Sequence, residues 1–243
     1  MKYDTKKYYR YFAEAKYWIV NFRLADCIIK KDNQVCLQCW HGTPLKRIGC
    51  DIEIEKGNKL SSKRAISKSY IDDAKKYNYF ISPSKFCTEK FTTSFGLDQL
   101  HKENILIETG YPRNDFLYNY TQEDIKRIKA NLNIPENKKI ILYAPTFRDN
   151  QHQLGKGYVL DLQLDLDNLQ KNLSEEYVVL MRLHYLVASK FDIKQYEGFL
   201  YDVSKYDDIN DLYIIADMLI TDYSSVFFDY ANLRRPILFY MYD

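Results

Sequence analysis

Short apolar runs rich in β-branched and aromatic residues alternate with helix-like stretches along the whole chain, and no other feature restricts its fold as strongly. In the second half, the runs at 138–144, 177–182, 199–203, 218–221 and 236–240 read as strands, with helices expected at about 165–173, 208–216 and 224–232. In the first half, an aromatic amphipathic helix near 5–17 leads to a strand near 35–40, a long helix over 61–77 and a strand at 79–81. A helix over 84–95, ended by Gly96, and a strand over 104–108 follow. Such alternation implies parallel sheets joined by right-handed crossovers. A capping-box-like start at Thr121 and Asp124 opens a polar helix to about Leu132, which Pro135 stops. This is the expected connector, over 121–137, between α/β units over 1–120 and 138–243. No internal repeat or low-complexity tract interrupts the pattern.

Composition excludes several classes of function. The 243 residues carry 35 Lys+Arg against 33 Asp+Glu, so no basic footprint for nucleic acid stands out. With 46% hydrophobic and 28% charged residues, the chain is globular rather than intrinsically disordered. Aromatic residues reach 16%, but they are spread along the chain instead of clustering with Arg and Gly, which favours packing over base stacking. No run approaches the roughly 18–20 apolar residues of a membrane span, and the N-terminus lacks the apolar core of a signal peptide. A cytoplasmic protein with reduced thiols is expected, because five Cys are too few and too irregular for a disulfide framework.

In an open parallel sheet, ligand chemistry gathers where strands end and helices begin, since free N–H groups there attract anions. Three expected strand ends of the second half carry suitable groups. They are Thr221-Asp222-Tyr223-Ser224-Ser225, Arg182-Leu183-His184, and Ala144-Pro145-Thr146-Phe147-Arg148. Each residue alone has a plainer reading: Ser224 as a helix N-cap, His184 as a surface histidine, Arg148 as a solvated charge. In the first half, Trp40-His41-Gly42-Thr43-Pro44-Leu45-Lys46 follows a strand. There Gly42 allows close backbone approach and Pro44 suits the first turn of a short helix. A histidine side chain changes charge near neutrality, so His41 is suited to take a proton from an attacking hydroxyl. Thr109-Gly110-Tyr111-Pro112-Arg113-Asn114 sets a guanidinium beyond another strand.

Cys36, Cys39, His41 and Cys50 form a superficially zinc-like set. On a strand over 35–40 the odd spacing would point Cys36 and Cys39 to opposite faces, so buried small hydrophobes explain them better and no metal is expected.

The motifs WHGTPLK at 40–46, GYPRND at 110–115, YAPTFRD at 143–149, RLHY at 182–185 and ITDYSSVFFDY at 220–230 together resemble the CDP-glycerol glycerophosphotransferase family. These are the enzymes that prime or polymerise wall teichoic acid and related capsule backbones. The resemblance implies an α/β, GT-B-like fold of two Rossmann-type domains facing across a cleft, the first on the acceptor side and the second holding the nucleotide donor. It implies transfer of glycerol phosphate from CDP-glycerol to an acceptor hydroxyl on a lipid-linked polyol phosphate, with release of CMP and no cofactor. His41 and His184 fall at its catalytic positions, His41 as general base or alternatively as phosphate ligand. Gly42, Thr43, Pro44, Leu45, Arg113, Pro145, Thr146, Arg182, Leu183, Ser224, Ser225 and Asp229 fall at donor-binding positions. Asp229, one helical turn beyond Ser225, is suited to accept sugar or polyol hydroxyls. Three alternatives stay open: a CDP-ribitol-dependent transferase, a GT-B glycosyltransferase using a nucleotide sugar, and an inactive remnant.

Compared with the family, the chain is expected to be shortened at both ends, lacking a leading strand-helix unit and a closing helix. A lipid-linked acceptor further implies peripheral contact with the inner face of the membrane. Lys2, Lys6, Lys7, Arg10, Lys16 and Arg23, interleaved with Tyr3, Tyr8, Tyr9, Tyr11, Phe12, Tyr17, Trp18 and Phe22, are suited to an anionic surface. Packing of that aromatic stripe into the first domain is the favoured alternative.

Overall fold

Parallel strands in two separate sheets follow directly from the alternation of apolar runs and helices. The computed structural model describes residues 4–53, 62–146, 152–153, 157–158, 164–183 and 194–242. The chain divides into two compact units, Met1–Arg113 and Asn114–Asp243.

The first unit opens with the helix Lys6–Glu14, whose N-cap Thr5 accepts from Tyr8 N, and continues into strand β1 (Tyr17–Val20). The helix expected over 5–17 is thus present but ends at Glu14, and Tyr17 already opens a strand. The reason is local: Ala15 is extended, and beyond it Trp18 and Val20 are buried while Tyr17 and Ile19 are exposed, a period of two. Strands β2 (Val35–Gln38), β3 (Tyr79–Ser82) and β4 (Leu106–Glu108) complete a parallel sheet in the order β1-β2-β3-β4. The helices Lys63–Ala74 and Lys85–Ser94 begin on Ser62 and Ser84, whose hydroxyls accept from Ala65 N and Cys87 N. Gly96 ends the second of these at φ +63, where a Cβ would lie 2.6 Å from the Ile71 side chain. The core is aromatic: the Phe80 ring stacks on Phe91 at 4.7 Å and meets Phe95 edge-on at 4.9 Å.

The second unit contains β5 (Lys139–Tyr143), a two-residue hairpin of β6 (His152–Gln153) and β7 (Gly157–Tyr158), then β8 (Tyr177–Met181), β9 (Leu200–Asp202), β10 (Met218–Thr221) and β11 (Ile237–Phe239). All but the hairpin form one parallel sheet in the order β11-β10-β5-β8-β9. Counted within this sheet from β5, that is the 3-2-1-4-5 order of nucleotide-binding folds. Successive residues of β5 and β8 point to opposite faces. Ile140, Leu142, Val178 and Leu180 pack in one core, and Ile141, Tyr143, Val179 and Met181 in another. A sheet buried on both faces must be apolar throughout, which is why these runs showed no polar alternation.

The join between the units differs from the expected one. The helix Gln122–Asn131, with its capping box between Thr121 and Asp124, buries Ile128 completely in the second unit's core. It is therefore an integral part of that unit rather than a connector. Among the described residues no helix is long and apolar enough to cross a membrane.

Candidate functional site

Because β10, β5 and β8 are neighbours and parallel, their three polar ends lie side by side on one edge of the second sheet. The chain runs from β5 outward to β9 and then returns to β10, so the crevice between the ends of β5 and β10 is the topological switch point. Three side chains define it. Thr146 donates to Asp222 Oδ1 twice, from its backbone N at 2.8 Å and from Oγ1 at 2.6 Å, and Thr221 Oγ1 donates to Ala144 O at 2.7 Å. Asp222 is 1% exposed, a buried carboxylate stationed where strand becomes loop. Pro145, half-buried, precedes Thr146 in the same turn.

Ser224 and Ser225 follow at once. The helix begins at Val226, one residue later than Ser224 as N-cap would require, and ends at Tyr230. Ser225 is the N-cap by position, yet its hydroxyl makes no cap hydrogen bond. Asp229, in that helix, accepts from Asn114 Nδ2 at 2.9 Å, so part of its accepting capacity is taken within the protein. This contact also joins the motif around Arg113-Asn114 to the one around Asp229, a pairing that sequence spacing did not suggest.

Arg182 is engaged within the fold through one of its terminal nitrogens. Its Nη1 donates to Val203 O at 2.9 Å and Tyr206 O at 2.7 Å, holding the turn after β9. Burial pulls this guanidinium below the usual arginine range, while Tyr213, Asp208 and Asp207 act in the opposite sense. Leu183 is buried, and its N–H donates to Ser204 Oγ at 2.9 Å. His184 and Arg148 lie outside the described residues.

In the first unit a second cluster forms at the ends of β1, β2 and β4. The exposed His41 ring contacts Asn21 O through Nδ1 at 2.7 Å and lies against Trp40 with centroids 4.1 Å apart. A carbonyl oxygen can only accept, so Nδ1 carries the proton and Nε2 of the neutral ring keeps its lone pair. Tyr111 OH donates to Gly42 O at 2.9 Å, and the Arg113 guanidinium sits 4.1 Å from the Tyr111 ring centroid. Asn21, Trp40, Tyr111 and Arg113 help line a cavity of about 390 Å³. The left-handed residue in this turn is Trp40, at φ +51, and not Gly42, which is buried. A bulky residue held in that region stores backbone strain, as functional turns commonly do.

Thr43 interacts with the Cys87 thiol, whose titration burial pushes up against the opposing effect of Ser84 and Thr43. Pro44 starts no helix: 43–48 are irregular, and the next element is the short turn Gly49–Asp51. Leu45 is exposed. Cys36 is fully buried, whereas Cys39 lies past the end of β2, so the opposite-face argument applied to that pair does not hold. Sequence reasoning missed Asn21, and it named Tyr111 only as part of the motif over 109–114, without a role. The alternation in Tyr17-Trp18-Ile19-Val20 was the available signal for the first; the contact of the second with Gly42 is long-range.

All 243 residues match the model of one protein family, the CDP-glycerol:poly(glycerophosphate) glycerophosphotransferases. The chain belongs to this family. It is 50% identical over 232 residues to the teichoic acid poly(glycerol phosphate) polymerase of Bacillus subtilis strain 168, covering 95% of this chain and 30% of that relative. A teichoic acid poly(ribitol-phosphate) polymerase of Bacillus spizizenii is 38% identical over 170 residues, 69% of this chain and 26% of the relative. Among solved structures, the wall teichoic acid polymerase TagF superposes with a TM-score of 0.92 at 41% identity, covering 100% of this chain and 58% of that one. A TagF variant soaked with CDPG matches equally well. The α/β, GT-B-like class with two parallel-sheet regions therefore holds. The chain spans from 30% to 60% of the length of the first four curated relatives.

Proposed function

We propose that this glycerophosphotransferase-family chain transfers glycerol phosphate from CDP-glycerol to a hydroxyl of a lipid-linked polyol-phosphate acceptor. The acceptor oxygen forms a bond to the β-phosphorus, the bond from that phosphorus to the bridging oxygen breaks, and CMP leaves. The observation that carries this reading is the nucleotide-binding strand order of the second sheet, with family motifs at the switch point between β5 and β10. The donor's diphosphate is assigned to Ser224, Ser225, Arg182 and His184, with Pro145, Thr146 and Leu183 shaping the crevice and Asp229 accepting from a hydroxyl. Catalysis of this kind needs positioned charge and hydrogen-bond donors for the departing phosphate more than covalent chemistry.

His41 is assigned the general base. Its Nδ1–H contact with Asn21 O supports this, because it leaves Nε2 able to take the acceptor's proton. Gly42, Thr43, Pro44, Leu45 and Arg113 are assigned to the donor on family grounds. A CDP-ribitol donor is the second reading, favoured by the likeness to the ribitol-phosphate polymerase. CMP release measured side by side from CDP-glycerol, CDP-ribitol and UDP-sugars, each with a lipid-linked acceptor, tests the assignment. Turnover of CDP-glycerol at least tenfold above the others is expected; preference for a UDP-sugar overturns it.

Peripheral contact with an anionic membrane belongs to the same proposal. Tyr8, Phe12 and Trp18 pack in the first core, which leaves Lys6, Lys7, Arg10 and the half-exposed Tyr11 on the outer side of the first helix. Salt-sensitive sedimentation with anionic but not neutral vesicles, abolished in K6E/K7E/R10E, is the expected result. Equal binding by that variant contradicts it.

A further inference from the structure

The loop that carries His41 continues into a second cavity, of about 580 Å³, within the usual size of a small-ligand site. Lys46, Arg47, Lys63 and Lys90 stand on its walls with Asp51 and Glu53, four cations against two acids. Arg47 pairs with Glu53, and Asp51 accepts from Thr93 Oγ1 at 2.6 Å, so both acids are engaged. Lys90 rests over the Phe86 ring at 5.7 Å, and neither Lys46 nor Lys63 has an acidic partner among the described residues. Uncompensated positive charge is therefore concentrated around a concave space.

A second observation is independent of charge. Ser94 lies on the wall of this cavity and is 1% exposed, yet its Oγ has no hydrogen-bond partner. A buried hydroxyl left unpaired has given up its hydrogen bonds to water, and a ligand that accepts from it recovers that loss. The wall is held close by Gly49, at φ +56, where a Cβ would lie 2.1 Å from Ser94 O. No other residue fits there without moving the turn Gly49–Asp51 away from the helix Lys85–Ser94.

We propose that this cavity binds a phosphodiester of the polyol-phosphate acceptor, placing the chain's terminal hydroxyl toward the loop of His41. A polyol phosphate carries one negative charge per repeat, with ester oxygens and hydroxyls between, and so matches ammonium groups spaced around a wall with a lone hydroxyl donor. Lys63 and Lys90 neutralise the phosphodiester, and Ser94 donates to it. The inference rests on the proposed transferase function, but its binding does not require turnover.

The test uses a soluble oligo(glycerol phosphate) as probe, measured by calorimetry without CDP-glycerol, on the full chain and on K63Q/K90Q and Ser94→Ala. Both lysines are exposed, and the melting temperature of each variant is recorded as a check on folding. Loss of two charge-assisted contacts should weaken probe binding by about tenfold or more, and Ser94→Ala by severalfold. In the transfer assay the acceptor KM rises in parallel, while the CDP-glycerol KM stays within about twofold. Unchanged probe affinity in both variants overturns the proposal. So does inorganic phosphate binding as tightly as the oligomer, or anionic vesicles losing affinity for K63Q/K90Q while the oligomer does not. If the chain turns over no CDP-glycerol at all, the calorimetric comparison still decides this site, and the transferase reading fails separately.

Discussion

His41 holds a proton on Nδ1 because a backbone carbonyl, which can only accept, is its partner, a contact that suits a base and a phosphate ligand alike, so kinetics must separate the two. His41→Gln is expected to lower kcat by about 100- to 10,000-fold while leaving the CDP-glycerol KM nearly unchanged. Equal losses in donor affinity would make His41 a phosphate ligand instead. Asp222 is a positioning residue: removing it strands two donors of Thr146. Asp222→Ala should cost about 1–3 kcal/mol in urea unfolding and raise the donor KM. Asp73 gives a pH signature of its own. Burial pushes its carboxyl up, against the pull of Tyr77, Lys76 and Leu24 N. A folded-state value above the unfolded one means that the native chain holds a proton the unfolded chain has released. Stability from Asp73 is therefore full below the ordinary carboxylate range and declines as pH rises through its raised value. Melting followed upward from pH 4 should show that decline in the wild type and lose it in Asp73→Asn.

At the scale of elements, what could be read in the sequence was what local chemistry decides. The Gly96 stop and the Thr121–Asp124 box both stand where the residues placed them. Strand β1 was missed because four aromatic or branched residues directly after a helix carry no turn signal. Pro44 misled because an irregular turn accepts its fixed φ as readily as a helix start does. Invisible too was how helix ends are satisfied. The helix Lys63–Ala74 has no basic residue in its last turn, and Lys102 donates to Ala74 O, Lys75 O and Tyr77 O at 3.1, 3.1 and 2.5 Å. Arg235 does the same beyond the helix Ile209–Ile215, reaching Ile214 O at 2.8 Å and Ala216 O at 2.5 Å. Cations at carboxyl ends satisfy orphan carbonyls and favour the helix dipole, but these come from residues remote in sequence. Lys102→Met and Arg235→Met should each lower stability by about 1–3 kcal/mol in denaturant melts, with KM values unaltered.

Over the whole molecule, the alternation of apolar runs and helices was enough to assign two parallel α/β units, because only crossover connections join parallel strands. Where the units divide was not legible, since a polar helix with good caps looks the same whether it links domains or packs on one through a single face, as Ile128 does here. The site was legible as residue types at strand ends, and not as contacts: Asn114 with Asp229, Tyr111 with Gly42 and Arg182 with Val203 are long-range pairs that no spacing rule predicts. The measurement that tests the account most directly is the stoichiometry of one reaction: CDP-glycerol labelled in the glycerol is incubated with the chain and a lipid-linked acceptor, and CMP and acceptor-bound label are counted together. Equal amounts of both, dependent on acceptor, are predicted. Release of CMP without label entering the acceptor, or no release from CDP-glycerol where a UDP-sugar is consumed, would contradict it.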